Sequence, residues 1–196
     1  MKRWRAEPRG KQGRGRLCDD VDVDFTLESG TALLTRTPAS LKALLSGLPE
    51  EWTTSDEGPG TWSPYQVVGH LTHIEECDWM DRTTRILAEG GPHPFEPVDR
   101  EAGFSRFVGW SMAELLEHFG AVRASNLEQL ATLVSVDDLG RIGLHPTFGE
   151  VTLSQLLAAW VVHDLNHLDQ IAKTMGKQYR GAVGPWRAFL PIVDAP

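Results

Sequence analysis

Cysteine is scarce in this chain: Cys18 and Cys77 are the only two among 196 residues. That number is too small for a disulfide framework and suits a reducing compartment, so a cytoplasmic location is expected. No apolar run approaches the roughly 18 residues that a membrane-spanning helix needs. The N-terminus is basic and polar with no apolar stretch behind it, so no secretory signal is expected. Also missing are Gly-x-Ser-x-Gly, a Walker loop, a dinucleotide-binding glycine fingerprint and Cys-x-x-Cys. Their absence removes the commonest hydrolase, nucleotide and redox signatures. There is no Glu-x-x-His, so a ferritin-like di-iron site is excluded as well.

Charge is present but unevenly spread. Residues 1–16 hold seven basic side chains (Lys2, Arg3, Arg5, Arg9, Lys11, Arg14, Arg16) against one acid, Glu7. The whole chain has 19 basic and 27 acidic residues, so residues 17–196 hold 12 against 26. The arm at 1–24 is expected to be a solvated, disordered tail, and 25–196 a single domain with a C-terminal extension. An acidic body repels phosphate, which argues against nucleic-acid binding by the domain.

Three helix starts share one local chemistry. Ser63-Pro-Tyr-Gln66, Ser111-Met-Ala-Glu114 and Thr152-Leu-Ser-Gln155 each set a hydroxyl at the N-cap and Glu or Gln three residues on. In such a capping box the two side chains satisfy unpaired backbone N–H groups reciprocally. Apolar residues then recur at helical spacing, which predicts helices over about 28–47, 63–89, 111–134 and 152–175. Pro38 should kink the first or mark its start, Gly90-Gly91-Pro92 should stop the second, and Gly176 the fourth. Ile142–Gly149 could form a short hairpin or an irregular loop. Four long helices with little strand signal imply an all-α fold, a four-helix bundle with long crossover connections.

Histidines fall on the inner faces of two of these helices. On the last one, Leu153, Leu156, Leu157, Trp160, Ile171 and Met175 lie within about 60° of Trp160, and His163 and His167 share that arc. On the second, Val67, Leu71 and Ile74 define the inner stripe; His70 lies about 40° from its centre and His73 about 100° away. A single histidine on an apolar face is usually hydrogen-bonded to a carbonyl. Three buried imidazoles leave three ring acceptors in need of partners, at about 1–3 kcal/mol for each one unpaired. One divalent ion shared by His70, His163 and His167 would satisfy all three and leave positions open, as in a catalytic site. Zinc, nickel and iron suit such a set comparably.

Asp164 lies on the same arc and could orient an imidazole or bind substrate, or simply accept an N–H near the bundle rim. Its place in His163-Asp-Leu-Asn-His167 argues against a zinc protease, which needs a glutamate there. His93, His118 and His145 read as ordinary polar residues, and Cys77 as a buried structural thiol. The back of the last helix is also apolar (Ala158, Val161, Val162, Leu165, Ala172), so either a second copy of the chain or the tail beyond Gly176 should cover it.

Trp62-Ser63-Pro64 ahead of Gly69-His70-Leu71, His145-Pro146 ahead of Gly-Glu-Val-Thr-Leu, and His163-Asp-Leu-Asn-His167-Leu-Asp-Gln170-Ile171 together resemble the DinB/YfiT-like superfamily of damage-inducible four-helix proteins. The resemblance runs from about residue 28 to 175. It implies a bundle with an unusual long-crossover topology, a metal on the three histidines matching His70, His163 and His167, and frequent homodimers. Characterised members of that superfamily include thiol S-transferases using bacillithiol or glutathione-like thiols and mycothiol-dependent isomerases. A metal-dependent thiol S-transferase that takes a low-molecular-weight thiol is therefore the expected activity, with metal-dependent hydrolysis or a non-catalytic, stress-linked binding or scaffold bundle as alternatives.

Overall fold

In a computed structural model, which describes residues 23–89 and 93–194, the chain order is α1 (Leu27–Leu34), α2 (Thr37–Leu45), α3 (Glu50–Thr54), α4 (Pro64–Cys77), α5 (Trp79–Glu89), α6 (Ala102–Arg106), α7 (Met112–Leu133), β1 (Ile142–His145), β2 (Gly149–Thr152) and α8 (Leu153–Gln178). Most of the basic arm at 1–24, with Cys18, and the expected stop at Gly90-Gly91-Pro92 lie outside the described residues. All three capping boxes form, at the heads of α4, α7 and α8. No helix among the described residues is long and apolar enough to cross a membrane.

The four rods of the bundle are α1 with α2, α4 with α5, α7 and α8. Two of the four are broken. The first breaks at Thr35–Arg36, and α2 restarts with Pro38 in its first turn, where a missing N–H costs nothing. The second breaks at Asp78, whose backbone (φ −125°, ψ −66°) leaves the helical region. Asp78, Trp79 and Met80, at and just after the break, are all buried.

Ile142–Gly149 resolves as part of a hairpin. β1 and β2 pair antiparallel, with His145 opposite Gly149, which closes the turn at φ +76°. The Phe95 N–H donates to Leu144 O at 2.8 Å, so the long connection after α5 runs along the hairpin. A side chain at Gly143 would meet Phe95 at 2.5 Å and Ile86 at 2.7 Å, so only glycine allows this approach. A similar contact holds the end of the connection. A Cβ on Gly103 of α6 would stand 2.4 Å from the Gly69 carbonyl of α4. The pair locks the connection beside His70.

Two apolar clusters fill the interior. One gathers Ile74, Trp79, Leu153, Leu157 and Trp160; the other gathers Val67, Leu71, Phe119, Leu41 and Ile171. Between them lies a polar layer. Arg123, 1% exposed, donates from Nε and Nη2 to the two oxygens of Glu75 (2.7 and 2.9 Å) and from Nη1 and Nη2 to those of Asp164 (2.7 and 3.1 Å). Its Nη1 also donates to Leu34 O at 2.9 Å. Asn126 and the Trp160 indole complete the donors around Glu75.

On the back of α8, Val161 is buried within the cluster that includes Leu34 of α1, an element that the amphipathic reading of α8 alone did not place. Val162 and Leu165 stay 62% and 50% exposed. The C-terminal segment covers neither. Its Val193 is buried and Ile192 packs on Gly176 at the far end of α8, while Trp186, Phe189 and Leu190 face solvent.

Candidate metal centre

The fold brings His70, His163 and His167 to one point. His163 Nε2 lies 3.1 Å from His70 Nε2 and 3.2 Å from His167 Nε2. This is the only group of three possible ligand side chains that converges among the described residues. Two of the rings have their tautomer set by a neighbour. A carbonyl can only accept, so His70 Nδ1–H donates to Arg100 O at 2.8 Å. His167 Nδ1–H donates to Gln170 Oε1 at 2.7 Å. Both Nε2 atoms are therefore bare lone pairs aimed at His163. His163 could supply a single proton between them, which leaves one acceptor unmet. Its own Nδ1 is buried without a hydrogen-bond partner among the described residues. Nitrogens about 3 Å apart, with their rings oriented from behind by a carbonyl and an amide, fit the donor set of one divalent ion.

Electrostatics agree with neutral ligands. Burial, opposed by the Arg100 carbonyl and helped by the neighbouring rings, pushes the His70 pKa down to about 4. Burial and the charges of His167 and His70 push His163 down to about 3. Burial lowers His167 too, against the Gln170 hydrogen bond and the charge of Asp164. Unprotonated imidazole is the form that binds metal.

The three rings open into a cavity of about 450 Å³. Trp62 packs over His70 and stacks on His167, and the Trp79 edge meets His163. These indoles wall the ligands with apolar surface. Polar groups come from three elements. Asp78 sits at the break between α4 and α5, Arg82 lies one turn on, and Arg100 and His145 come from the connection and the hairpin. Burial raises Asp78 to about 6, against the pull of Arg82, which pairs with it at 2.5 Å.

The remaining candidates separate cleanly. Asp164 gives both oxygens to Arg123 and is 2% exposed, so its carboxylate neither touches an imidazole nor faces the cavity. Its link to the site is its charge on His167. His73 lies on the flank beside Cys77 Sγ (3.6 Å), as its helical angle implied. His118 Nε2–H donates to Glu76 Oε1 at 2.8 Å, and His93 is exposed. Cys77 is half-buried, lies in a neighbouring cavity, and has its thiol pKa raised by burial and by Asp78, Asp81 and Glu76. His145 departs from the ordinary role expected of it, because the hairpin carries it into the cavity wall. Asp78, Arg82 and Arg100 carried no sequence signal, since a helix break without Gly or Pro and a long connection set their places.

Fold and site together define a long-crossover four-helix bundle with a three-histidine centre at its polar waist. The chain belongs to the DinB superfamily, whose family model matches residues 33–171. Among solved structures it is similar to YfiT from Bacillus subtilis, described as a probable metal-dependent hydrolase with an unusual four-helix bundle topology. That likeness has a TM-score of 0.67 at 20% identity and covers 86% of this chain and 93% of that one. It is also similar to TT2238, a four-helix bundle protein, with a TM-score of 0.52 at 22% identity over 73% of this chain and 95% of that one. At these identities the likeness is one of fold. No curated protein matches the chain.

Proposed function

We propose that this chain is a metal-dependent enzyme of small-molecule chemistry, with one divalent ion held by His70, His163 and His167. The observation that carries the reading is the convergence of three Nε2 atoms, two of them stripped of any proton by the bonds behind their rings. Bound there, such an ion would lower the pKa of a water or a thiol in its open positions. Hydrolysis comes first, because Asp78 places a carboxylate in the wall of the same cavity, where it can orient a water or take its proton. The description of YfiT as a probable metal-dependent hydrolase adds to this reading. Conjugation of a low-molecular-weight thiol is the second reading. It is favoured by the size of the cavity, about 450 Å³, and by the exclusion of Cys77 from it, so that a thiol nucleophile would have to come from outside. Zinc, nickel and iron remain equally suited to three imidazoles.

Elemental analysis of protein made without a histidine tag tests the metal, with close to one divalent ion per chain expected. His163→Ala and His167→Ala should each lose it, and His73→Ala should keep it. Full stoichiometry in a His70→Ala, His163→Ala double variant overturns the site. An ester and amide panel beside a thiol-plus-electrophile panel then separates the chemistries. Hydrolysis that is lost on chelation, and cut in an Asp78→Asn variant that keeps its ion, supports the first reading. Conjugation that is lost on chelation and intact in Cys77→Ala supports the second.

A further inference from the structure

The cavity contains a cation that the fold leaves unpaired. Arg82 is neutralised by Asp78, but among the described residues no ion pair or hydrogen bond reaches the guanidinium of Arg100. Arg100 occupies this position for a structural reason. Its carbonyl holds His70 Nδ1, and the Gly69–Gly103 contact clamps the chain three residues later. The backbone that orients a histidine of the centre thus carries a free positive side chain along the same cavity.

A second donor faces the cavity from the hairpin. His145 Nδ1 accepts from the Thr147 and Phe148 N–H groups at 3.1 and 3.2 Å, so the ring proton of the neutral form must sit on Nε2. The ring stacks on Phe148 at 4.4 Å, which fixes its plane. Burial, reinforced by Arg82 and Arg100, lowers its pKa and keeps it neutral. With Nδ1 turned back into its own turn, the face left to the cavity is an N–H donor.

We propose that the substrate of this site carries a carboxylate, bound by the Arg100 guanidinium and the His145 Nε2–H while the reacting end of the molecule lies at the three histidines. This rests on the metal reading and names its substrate class. The charges in the wall select a monoanion. Asp78 offsets Arg82, and Arg100 leaves one uncompensated positive charge outside the centre itself. A dianionic phosphate would find one cation too few and a carboxylate in the wall against it. The chain as a whole carries a net charge of −8, so an uncompensated cation in the cavity is a favourable point of approach for an anion.

The test uses full-length protein loaded with cobalt(II) and two thiols of matched length, 3-mercaptopropionate and 3-mercaptopropanol, followed by the thiolate-to-cobalt charge-transfer band. The carboxylate-bearing thiol should bind about ten- to hundred-fold tighter, the range of one charge-assisted hydrogen-bonded pair. Arg100→Gln, an exposed side chain, should remove most of that preference while leaving the cobalt content and the affinity for the neutral thiol in place. His145→Asn, which keeps an acceptor for the turn amides, should lower the preference several-fold. Equal binding of the two thiols by cobalt-loaded wild type, or an unchanged preference in Arg100→Gln, overturns the carboxylate site and spares the metal reading. Displacement of 3-mercaptopropionate by inorganic phosphate at concentrations where acetate has no effect also overturns it, in favour of a phosphate. Failure of the three histidines to retain cobalt overturns the metal reading and this proposal with it.

Discussion

Replacing Arg123 with methionine should destabilise the protein severely at neutral pH and much less in mild acid. The guanidinium makes four hydrogen bonds to two carboxylates, and all three side chains are 2% exposed or less. Without it Glu75 keeps Asn126 and Trp160 as donors, but Asp164 has no other donor among the described residues. Breaking a buried pair in this way costs about 3–5 kcal/mol. Protonation sets a ceiling for each acid. Neutralising a carboxyl of ordinary pKa near 4 costs about 1.4 kcal/mol per pH unit, so about 4 kcal/mol at pH 7 and about 1.5 kcal/mol at pH 5. Burial already raises the Glu75 pKa against the pull of Arg123, and without that guanidinium the rise is larger, so the penalty grows as pH rises above the unfolded value and shrinks as it falls toward it. Urea unfolding of chelator-treated wild type and Arg123→Met, followed by tryptophan fluorescence, should therefore show a difference of about 4 kcal/mol at pH 7 that shrinks by about 2 kcal/mol at pH 5. An Arg123→Met, Glu75→Gln, Asp164→Asn triple variant should recover more than half of the loss at pH 7. A loss below about 1 kcal/mol at pH 7, or one that grows toward pH 5, would refute the reasoning.

The histidine centre should make the chelated protein sensitive to acid. His70 and His163 titrate near 4 and 3 when folded, against 6.5 ordinarily, so the unfolded chain takes up protons below pH 6.5 that the folded one refuses. Stability should fall from pH 6.5 toward 4, and because Asp78 titrates in the opposite sense, the difference between wild type and His163→Ala is the quantity to follow; a difference independent of pH would contradict it. Gly103→Ala forces a methyl group to 2.4 Å from the Gly69 carbonyl and should cost about 1–3 kcal/mol. Since it pushes the Arg100 carbonyl off His70, ion retention should fall along with the melting temperature, and an unchanged melting temperature would rule the contact out. For self-association, a homodimer across Val162 and Leu165 is proposed from their exposure of 62% and 50%. Sedimentation should show Val162→Glu and Leu165→Glu as monomers and wild type as a dimer, and a wild type that stays monomeric at high micromolar concentration would end the proposal.

What could be read from the sequence was local or periodic. Capping boxes announce three helices because their chemistry spans only four residues, and helical angles bring His70, His163 and His167 inward while leaving His73 on the flank. The polar layer was not anticipated, although a signal for it lies on the buried face of α7. Arg123 and Asn126 continue the buried stripe of Leu115, Phe119 and Leu130, and a charge on such a stripe demands a partner. That the partner is Asp164, 41 residues away, together with Glu75, 48 away, is a tertiary fact with no trace in the local pattern. The break at Asp78 involves neither Gly nor Pro, so nothing in the local sequence announces it. His145 reads as a loop residue until the hairpin meets the connection along Leu144 and Phe95.

A core split by a polar waist divides the chain's freedom to drift. In each apolar half, volume-conserving exchanges such as Leu for Met or Ile for Leu cost less than about 1.5 kcal/mol, so many sequences fill the same space. At the waist the currency is complementarity of charge and direction. A single exchange there strands a partner, and only a coordinated change of several residues leaves the fold intact. Sequences can then diverge almost completely in the two halves while the waist holds the helices in register.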